Sequence, residues 1–301
     1  MKPTLRQLQY LVAIAETGRF GDAAKKVYVS QPSLSAQIAD MEAQLGTQLV
    51  ERGRAGSILT PAGEDVLHRA RVVLKDMDDL KAAARQYSGE MAGRIRLGVL
   101  PSIGPYLLPM AAKRLHTQFP ALKLSVREEN RDDLMEKLAD GRFDLILSVE
   151  GEDDGLVTAP IMTEHLYACF APDHMLAKST DAIKPEELKD VTLLTLGLDY
   201  RLSHNVRCLA DLTGAQISDE YEGNSLDALR QMAAMGSGIA VVPSLYAASE
   251  TRRDDGVVVR RIDTEACLRD VQLIWRATSP LKAVFQEMAK VLSEEAHKLA
   301  D

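Results

Sequence analysis

Residues 20–52 carry the pattern that most restricts what this chain can fold into. Ala23-Ala24, Ser30-Gln31-Pro32-Ser33-Leu34-Ser35, Gln37-Ile38, Met41-Glu42, Leu45-Gly46, Leu49 and Arg52 follow one another at spacings that place two short helices around a tight turn. Ser30 is suited to cap the second helix, and Pro32 falls in its first turn, where a missing N–H breaks no intrahelical bond. Leu34, Ile38, Met41 and Leu45 recur at helical spacing and define an inward face. The opposite face presents Gln31, Ser33, Ser35 and Gln37, short polar side chains able to reach base edges or phosphates. The pattern predicts a helix-turn-helix that reads double-stranded DNA, with Ser30, Gln31, Pro32, Ser33, Ser35 and Gln37 as candidate contacts.

Residues 48–52 and 57–60 read as two extended pieces joined through Arg52-Gly53-Arg54-Ala55-Gly56. They predict a two-stranded wing whose Arg52 and Arg54 meet phosphate or enter the minor groove. Thr60 then caps a long helix with Pro61 at its first position, and Val66, Ala70, Val73, Met77, Leu80 and Ala84 continue along one side. A solitary helix of that length with an apolar stripe needs a partner, which predicts dimerisation through it. The stretch Ser88-Gly89-Glu90-Met91-Ala92-Gly93 reads as a hinge.

From Arg94 the pattern changes. Apolar runs at 95–100, 122–126 and 145–148 alternate with helical segments at 106–118 and 133–139, which predicts an α/β unit with a largely parallel sheet. A second alternation takes in 166–170, 193–195, a helix over 226–235 and a strand over 238–242. A late strand at 271–275 precedes a helix over 281–299.

The chain's 301 residues exceed one typical domain, and its hydrophobic content of 46% suffices for packed cores. No run approaches the roughly 18 apolar residues of a membrane span, and the start lacks a secretory apolar region, so a soluble, cytoplasmic protein without a membrane partner is expected. The net charge of −8 is unevenly placed: residues 1–60 hold seven basic and five acidic side chains, and the acidity belongs to the remainder. Cys169, Cys208 and Cys267 are odd in number and show no C-x-x-C spacing, which argues against a disulfide framework or a zinc site. His165, His174, His204 and Glu128-Glu129 are dispersed, with no nucleophile elbow, Gly-rich phosphate loop or metal-ligand cluster. Neither an enzyme nor a cofactor is expected.

The opening Leu5-Arg6-Gln7-Leu8-Gln9-Tyr10-Leu11, together with Ala23-Ala24, the 30–35 run and Glu42-x-x-Leu45-Gly46, closely resembles the winged helix-turn-helix of the LysR-type transcriptional regulators. Met41 and Val50 stand where Leu and an aromatic residue are common. Three further places look like the peroxide-responsive OxyR branch: residues 98–109, then Asn224-Ser225-Leu226 with residues 234–239, and Ser279-Pro280-Leu281. The resemblance implies an α/β protein with an N-terminal winged helix-turn-helix, a long linker helix and a two-lobed effector domain like a periplasmic binding protein. The expected divisions are 1–60 for DNA binding, 61–89 for the linker, 94–164 with 269–301 for the first lobe, and 165–268 for the second. It also implies a homodimer or homotetramer on half-sites of an imperfect palindrome, with RNA polymerase as a further partner.

Ligands of open α/β sheets bind beyond the carboxyl ends of strands. That rule selects Ser102 after the first strand, Asn130 and Arg131 after the second, Ser148 after the third, and the 197–204 segment with Arg201 and His204 on the facing lobe. The OxyR pattern places a peroxidatic Cys where this chain has Arg201, and a hydroxyl residue where it has Arg131. A guanidinium does not attack peroxide but binds carboxylate or phosphate through charge-assisted bonds. A small organic anion is therefore the expected effector, held by Ser102, Arg131 and Arg201. The alternative is a thiol-based redox regulator using Cys208, which has Arg207 beside it and His204 four residues earlier.

Overall fold

The computed structural model describes residues 3–53, 56–87, 93–149, 155–250, 256–265 and 268–300. The chain divides into two compact units, residues 1–90 with 136–143, and residues 91–135 with 144–301.

The first unit opens with helices α1 (Leu5–Thr17), α2 (Phe20–Lys26) and α3 (Gln31–Leu45). Thr4 and Gln7 form a capping box on α1, and the Ser30 hydroxyl accepts the Ser33 amide at 3.3 Å to cap α3, with Pro32 in the first turn. Leu34, Ile38 and Met41 are fully buried against Leu11 and Ile14 of α1 and Ala23 of α2. Leu45 was expected on that inward face but is 40% exposed. It is the last residue of α3, where Gly46 turns the chain at φ +71 and carries that turn beyond the helices packed below. The hairpin β1 (Val50–Gly53) and β2 (Gly56–Leu59) follows in antiparallel register, Arg52 opposite Ser57. Arg54 lies outside the described residues. Glu42 reaches from α3 to accept the amides of Leu49 (2.8 Å) and Val50 (3.0 Å), fixing the hairpin to the helix that precedes it. Helix α4 (Pro61–Tyr87) starts with Thr60 accepting the Gly63 amide at 2.9 Å. On it Leu67 and Ala70 are buried, whereas Val73 and Leu80 are 42% and 62% exposed.

The second unit contains β3 (Gly93–Val99), α5 (Gly104–Gln118), β4 (Leu122–Glu128), α6 (Arg131–Ala139, its end lying in the first unit), β5 (Leu145–Val149) and β6 (Leu156–Glu164). Next come β7 (Leu166–Phe170), β8 (Thr192–Leu194), α7 (Arg201–Thr213), β9 (Gln216–Ile217), α8 (Leu226–Ala234), β10 (Ile239–Pro243) and α9 (Ser244–Glu250). It closes with β11 (Val258–Arg261), β12 (Arg269–Arg276) and α10 (Lys282–Ala300). Two five-stranded sheets result, ordered β4-β3-β5-β12-β6 and β11-β7-β10-β8-β9.

Both sheets are mixed, which corrects the expectation of a largely parallel one. In the first, β4, β3 and β5 run parallel, but β12 is antiparallel to both β5 and β6. The chain leaves that sheet after Glu164, builds the other, and re-enters at Arg269 from the end at which it left, which forces the returning strand to run against β6. A second correction concerns Ser148, expected just past a strand. It lies within β5 opposite Gln272 and is fully buried.

Candidate functional site

The recognition surface of the first unit is set by α3. Gln31, Pro32 and Ser33 are exposed in its first turn, and Ser35 and Gln37 are half-buried along the same helix. Ser30 is occupied as the cap. Arg52, expected to meet phosphate or enter the minor groove, is exposed on the wing and also engaged within the fold: its guanidinium lies 4.2 Å from the Phe20 ring centroid and donates to the Ser35 hydroxyl at 2.8 Å. It joins wing, α2 and α3, and so sets the angle at which the wing meets the reading helix. Arg52→Ala should cost about 0.5–1 kcal/mol, the worth of an exposed cation–π contact. Amide hydrogen exchange should quicken in β1 and β2 while α1 is unchanged; unchanged exchange in the hairpin would show that Arg52 does not act as this joint. Tyr28 was missed by the sequence reading. It stands in the turn between α2 and α3 at φ +58 and is 94% exposed, a conformation rare for bulky side chains and one that residue type does not announce.

In the second unit a cavity of about 390 Å³ is lined by residues of both sheets' loops. Helix starts dominate its wall. Pro105 and Tyr106 come from the first turn of α5, Arg201 and Leu202 from that of α7, and Leu226 and Asp227 from that of α8. Asn130, which precedes α6, also lines it. These starts bring the positive ends of their helix dipoles to the wall, although side chains already cap two of them, Ser225 accepting the Ala228 amide at 3.2 Å on α8 and Asn130 the Asp133 amide on α6. The local sequence explains this placement: Gly104 brings α5 so near β3 that a Cβ there would lie 2.4 Å from a Val99 methyl carbon.

The cavity brings together Ser102, Asn130 and Arg201 of the residues selected from the sequence. Asn130 is largely occupied in capping α6: its carbonyl accepts the Asp133 amide at 2.9 Å and its amide donates to the Asp133 carboxylate at 3.2 Å. Arg131, Ser148 and His204 are not among the lining residues. Arg131 lies 3.9 Å from the Asp132 carboxylate, and His204 is exposed on α7 with its Nδ1 3.4 Å from the Tyr200 carbonyl. Cys208 is exposed one turn further along α7. Cys169 is buried, and its thiol is pushed up to about 11 by desolvation against the weaker pull of Arg230. Cys267 lies outside the described residues, among which no group of acidic, His and Cys side chains could hold a metal ion.

The residue that sequence reasoning missed is Arg269. It lines the cavity although its side chain is only 1% exposed. Its Nη2 donates to the Ser102 hydroxyl at 2.9 Å, and its Nη1 lies 3.3 Å from a carboxylate oxygen of Glu164, itself fully buried. The other Glu164 oxygen accepts the Leu245 amide at 3.0 Å. Nε and Nη1 of Arg269 find no hydrogen-bond acceptor among the described residues. Burial raises the Glu164 carboxyl above its ordinary range, against the attraction of Arg269, and lowers the Arg269 guanidinium against that of Glu164.

Residues 5–64 match the family description "Bacterial regulatory helix-turn-helix protein, lysR family", and residues 88–297 match "LysR substrate binding domain". The chain belongs to the LysR family of transcriptional regulators. A relative from Escherichia coli strain K12, described as the DNA-binding transcriptional dual regulator OxyR, is 33% identical over 289 residues, 96% of this chain and 94% of that protein. The structure of full-length OxyR C199D from Pseudomonas aeruginosa matches with a TM-score of 0.78 at 28% identity, over 97% of this chain and 98% of that one. Full-length CbnR in complex with its target DNA matches with a TM-score of 0.69 at 25% identity, over 96% of this chain and 99% of that one. This LysR-type protein is thus a DNA-binding transcriptional regulator and not an enzyme, built from a helix-turn-helix and an α/β substrate-binding domain. No described helix is long and apolar enough to cross a membrane.

Proposed function

We propose that this LysR-type regulator is controlled by a small ligand bearing a carboxylate or phosphate, held in the 390 Å³ cavity by Arg269, Ser102 and Arg201. The observation that carries the reading is that Arg201 and the hydrogen-bonded Ser102–Arg269 pair line one cavity together with the first turns of three helices. In this reading residues 94–164 with 269–301 and residues 165–268 form two lobes, and ligand acts through its different affinity for two arrangements of them. Residues 1–60 bind DNA through Gln31, Ser33 and their neighbours. Residues 61–89 pair two copies, for which the exposed Val73 and Leu80 supply apolar surface. A homodimer or homotetramer working in the cytoplasm beside RNA polymerase completes it.

A thermal-shift screen of the full chain against small carboxylates and phosphates tests the ligand. One present at 100 times its Kd stabilises by about 2.7 kcal/mol. The shift should vanish in Arg201→Ala; a shift that persists there places the ligand elsewhere.

The relatives' description as OxyR and the exposure of Cys208 favour a second reading, a thiol-based peroxide response. A peroxide-induced change in DNA binding that is lost in Cys208→Ser would establish it, and an unchanged response in that variant would remove it.

A further inference from the structure

Two properties of the cavity wall narrow the anion. The first is charge. Among the described residues the wall sets two guanidiniums, Arg201 and Arg269, against three carboxylates, Glu128, Glu129 and Asp227, and Arg269 also faces the buried Glu164. Whatever each of them is bonded to, acids outnumber guanidiniums before a ligand enters. One negative charge at the Ser102–Arg269 pair gains charge-assisted hydrogen bonds, whereas a second charge on the same ligand meets a net negative wall and is opposed.

The second property is a fixed aromatic surface. Tyr106 and Tyr200 are half-buried, both line the cavity, and both pack against the hydrophobic core of the second sheet, which contains Leu196 and Leu226. The Tyr106 ring meets the Tyr246 ring edge to face, with centroids 5.3 Å apart and planes at 84°. Tyr246 is fully buried, and its hydroxyl donates to Asp227 at 2.7 Å and accepts from Arg230 Nε at 3.2 Å. A ring held in this way loses little freedom when a ligand packs on it.

The anion end and the aromatic surface adjoin. The Gly104 amide donates to the Leu100 carbonyl and the Leu107 amide to that of Ile103, so the chain winds helically through 100–107. Ser102 and Tyr106 are four residues apart on this winding, which sets their Cβ atoms about 5–6 Å apart on one side. A group bonded directly to a carboxylate at Ser102 therefore reaches the Tyr106 ring.

We propose that the cavity binds an aryl monocarboxylate, its carboxylate on Ser102, Arg269 and Arg201 and its ring against Tyr106 and Tyr200. The inference rests on the anion reading above and narrows it to a single charge on a flat apolar body. Burying a ring accounts for roughly a tenfold to hundredfold difference in affinity, and an aromatic pair adds roughly twofold to tenfold beyond that area.

Isothermal titration of the full chain with benzoate, phenylacetate, cyclohexanecarboxylate, acetate, phthalate and inorganic phosphate separates the possibilities. Benzoate or phenylacetate should bind about tenfold or more tighter than acetate, phthalate and phosphate, and about twofold or more tighter than the puckered cyclohexanecarboxylate. Tyr106→Leu, which keeps an apolar side chain on the second sheet's core, should weaken the aryl acid by about threefold or more, while Tyr106→Phe should stay within about twofold of the natural protein. If acetate, phthalate, phosphate or cyclohexanecarboxylate binds as tightly as the better aryl acid, this inference fails while the anion reading stands. Unchanged aryl binding in Tyr106→Leu also overturns it. If no carboxylate and no phosphate binds, both fail.

Discussion

Arg269→Met should destabilise the second unit by about 3–5 kcal/mol at neutral pH, because it leaves the Glu164 carboxylate buried without its counter-charge. The double change, Glu164→Leu with Arg269→Met, should return to within about 1 kcal/mol of the natural protein, since removing both charges also removes both desolvation costs. The pH dependence distinguishes this cause from simple loss of packing. Burial already raises the Glu164 carboxyl in the folded state, so the folded chain holds that proton more tightly than the unfolded chain does. A group of this kind favours folding below the ordinary carboxyl range, and its contribution is lost as the pH rises through the folded value. In Arg269→Met the attraction that opposes the rise is gone. The variant should therefore regain stability on going from pH 8 to pH 5, with a slope of up to about 1.4 kcal/mol per pH unit. The protein's single Trp, Trp275, is 1% exposed on β12 and reports unfolding of this unit by fluorescence in urea. A variant as stable as the natural protein at pH 7.5, or one whose loss does not change with pH, would mean that Glu164 is stabilised by other groups.

Arg269 also marks the limit of what the sequence discloses. Local signals were sufficient for the recognition helix, whose Ser30 cap, Pro32 and buried Leu34, Ile38 and Met41 all lie within one short stretch. The post-strand rule found Ser102 and Arg201 in the cavity because each depends only on where an adjacent element begins or ends. It failed for Ser148 because the strand runs one residue further than the apolar run suggested. Arg269 follows from neither kind of signal. At the edge of the late apolar run it reads as a solvated end, and only the register of β6 with β12, which sets it opposite Glu164, takes it into the interior. That pairing comes from the chain's excursion through a second sheet, the same event that made both sheets mixed. Helix α7 was not among the helices read from the sequence, although Leu202, Val206, Leu209 and Ala210 recur at helical spacing and are all buried.

Gly63→Ala should weaken the first unit by about 2–3 kcal/mol, the range for overpacking a filled interior. Gly63 is buried in the first turn of α4, and a Cβ built on it would lie 2.1 Å from the Leu49 carbonyl oxygen, a backbone atom with no rotamer to adopt. That carbonyl accepts the Thr60 amide at 3.0 Å, and the Thr60 hydroxyl donates to the Gln48 carbonyl at 2.7 Å. Moving it aside therefore disturbs the cap of α4 together with the strand that Glu42 fastens to α3. Alanine's better helix propensity offsets only up to about 1 kcal/mol of this. The wing and the long helix are both positioned at this one backbone contact, so the loss should carry over to DNA affinity even though Gly63 itself offers no group to DNA. In urea, circular dichroism should show the first unit's helices unfolding earlier while the Trp275 transition stays in place. If Gly63→Ala matches the natural protein in both, the contact between α4 and Leu49 is loose enough to yield, and the wing does not take its position from it.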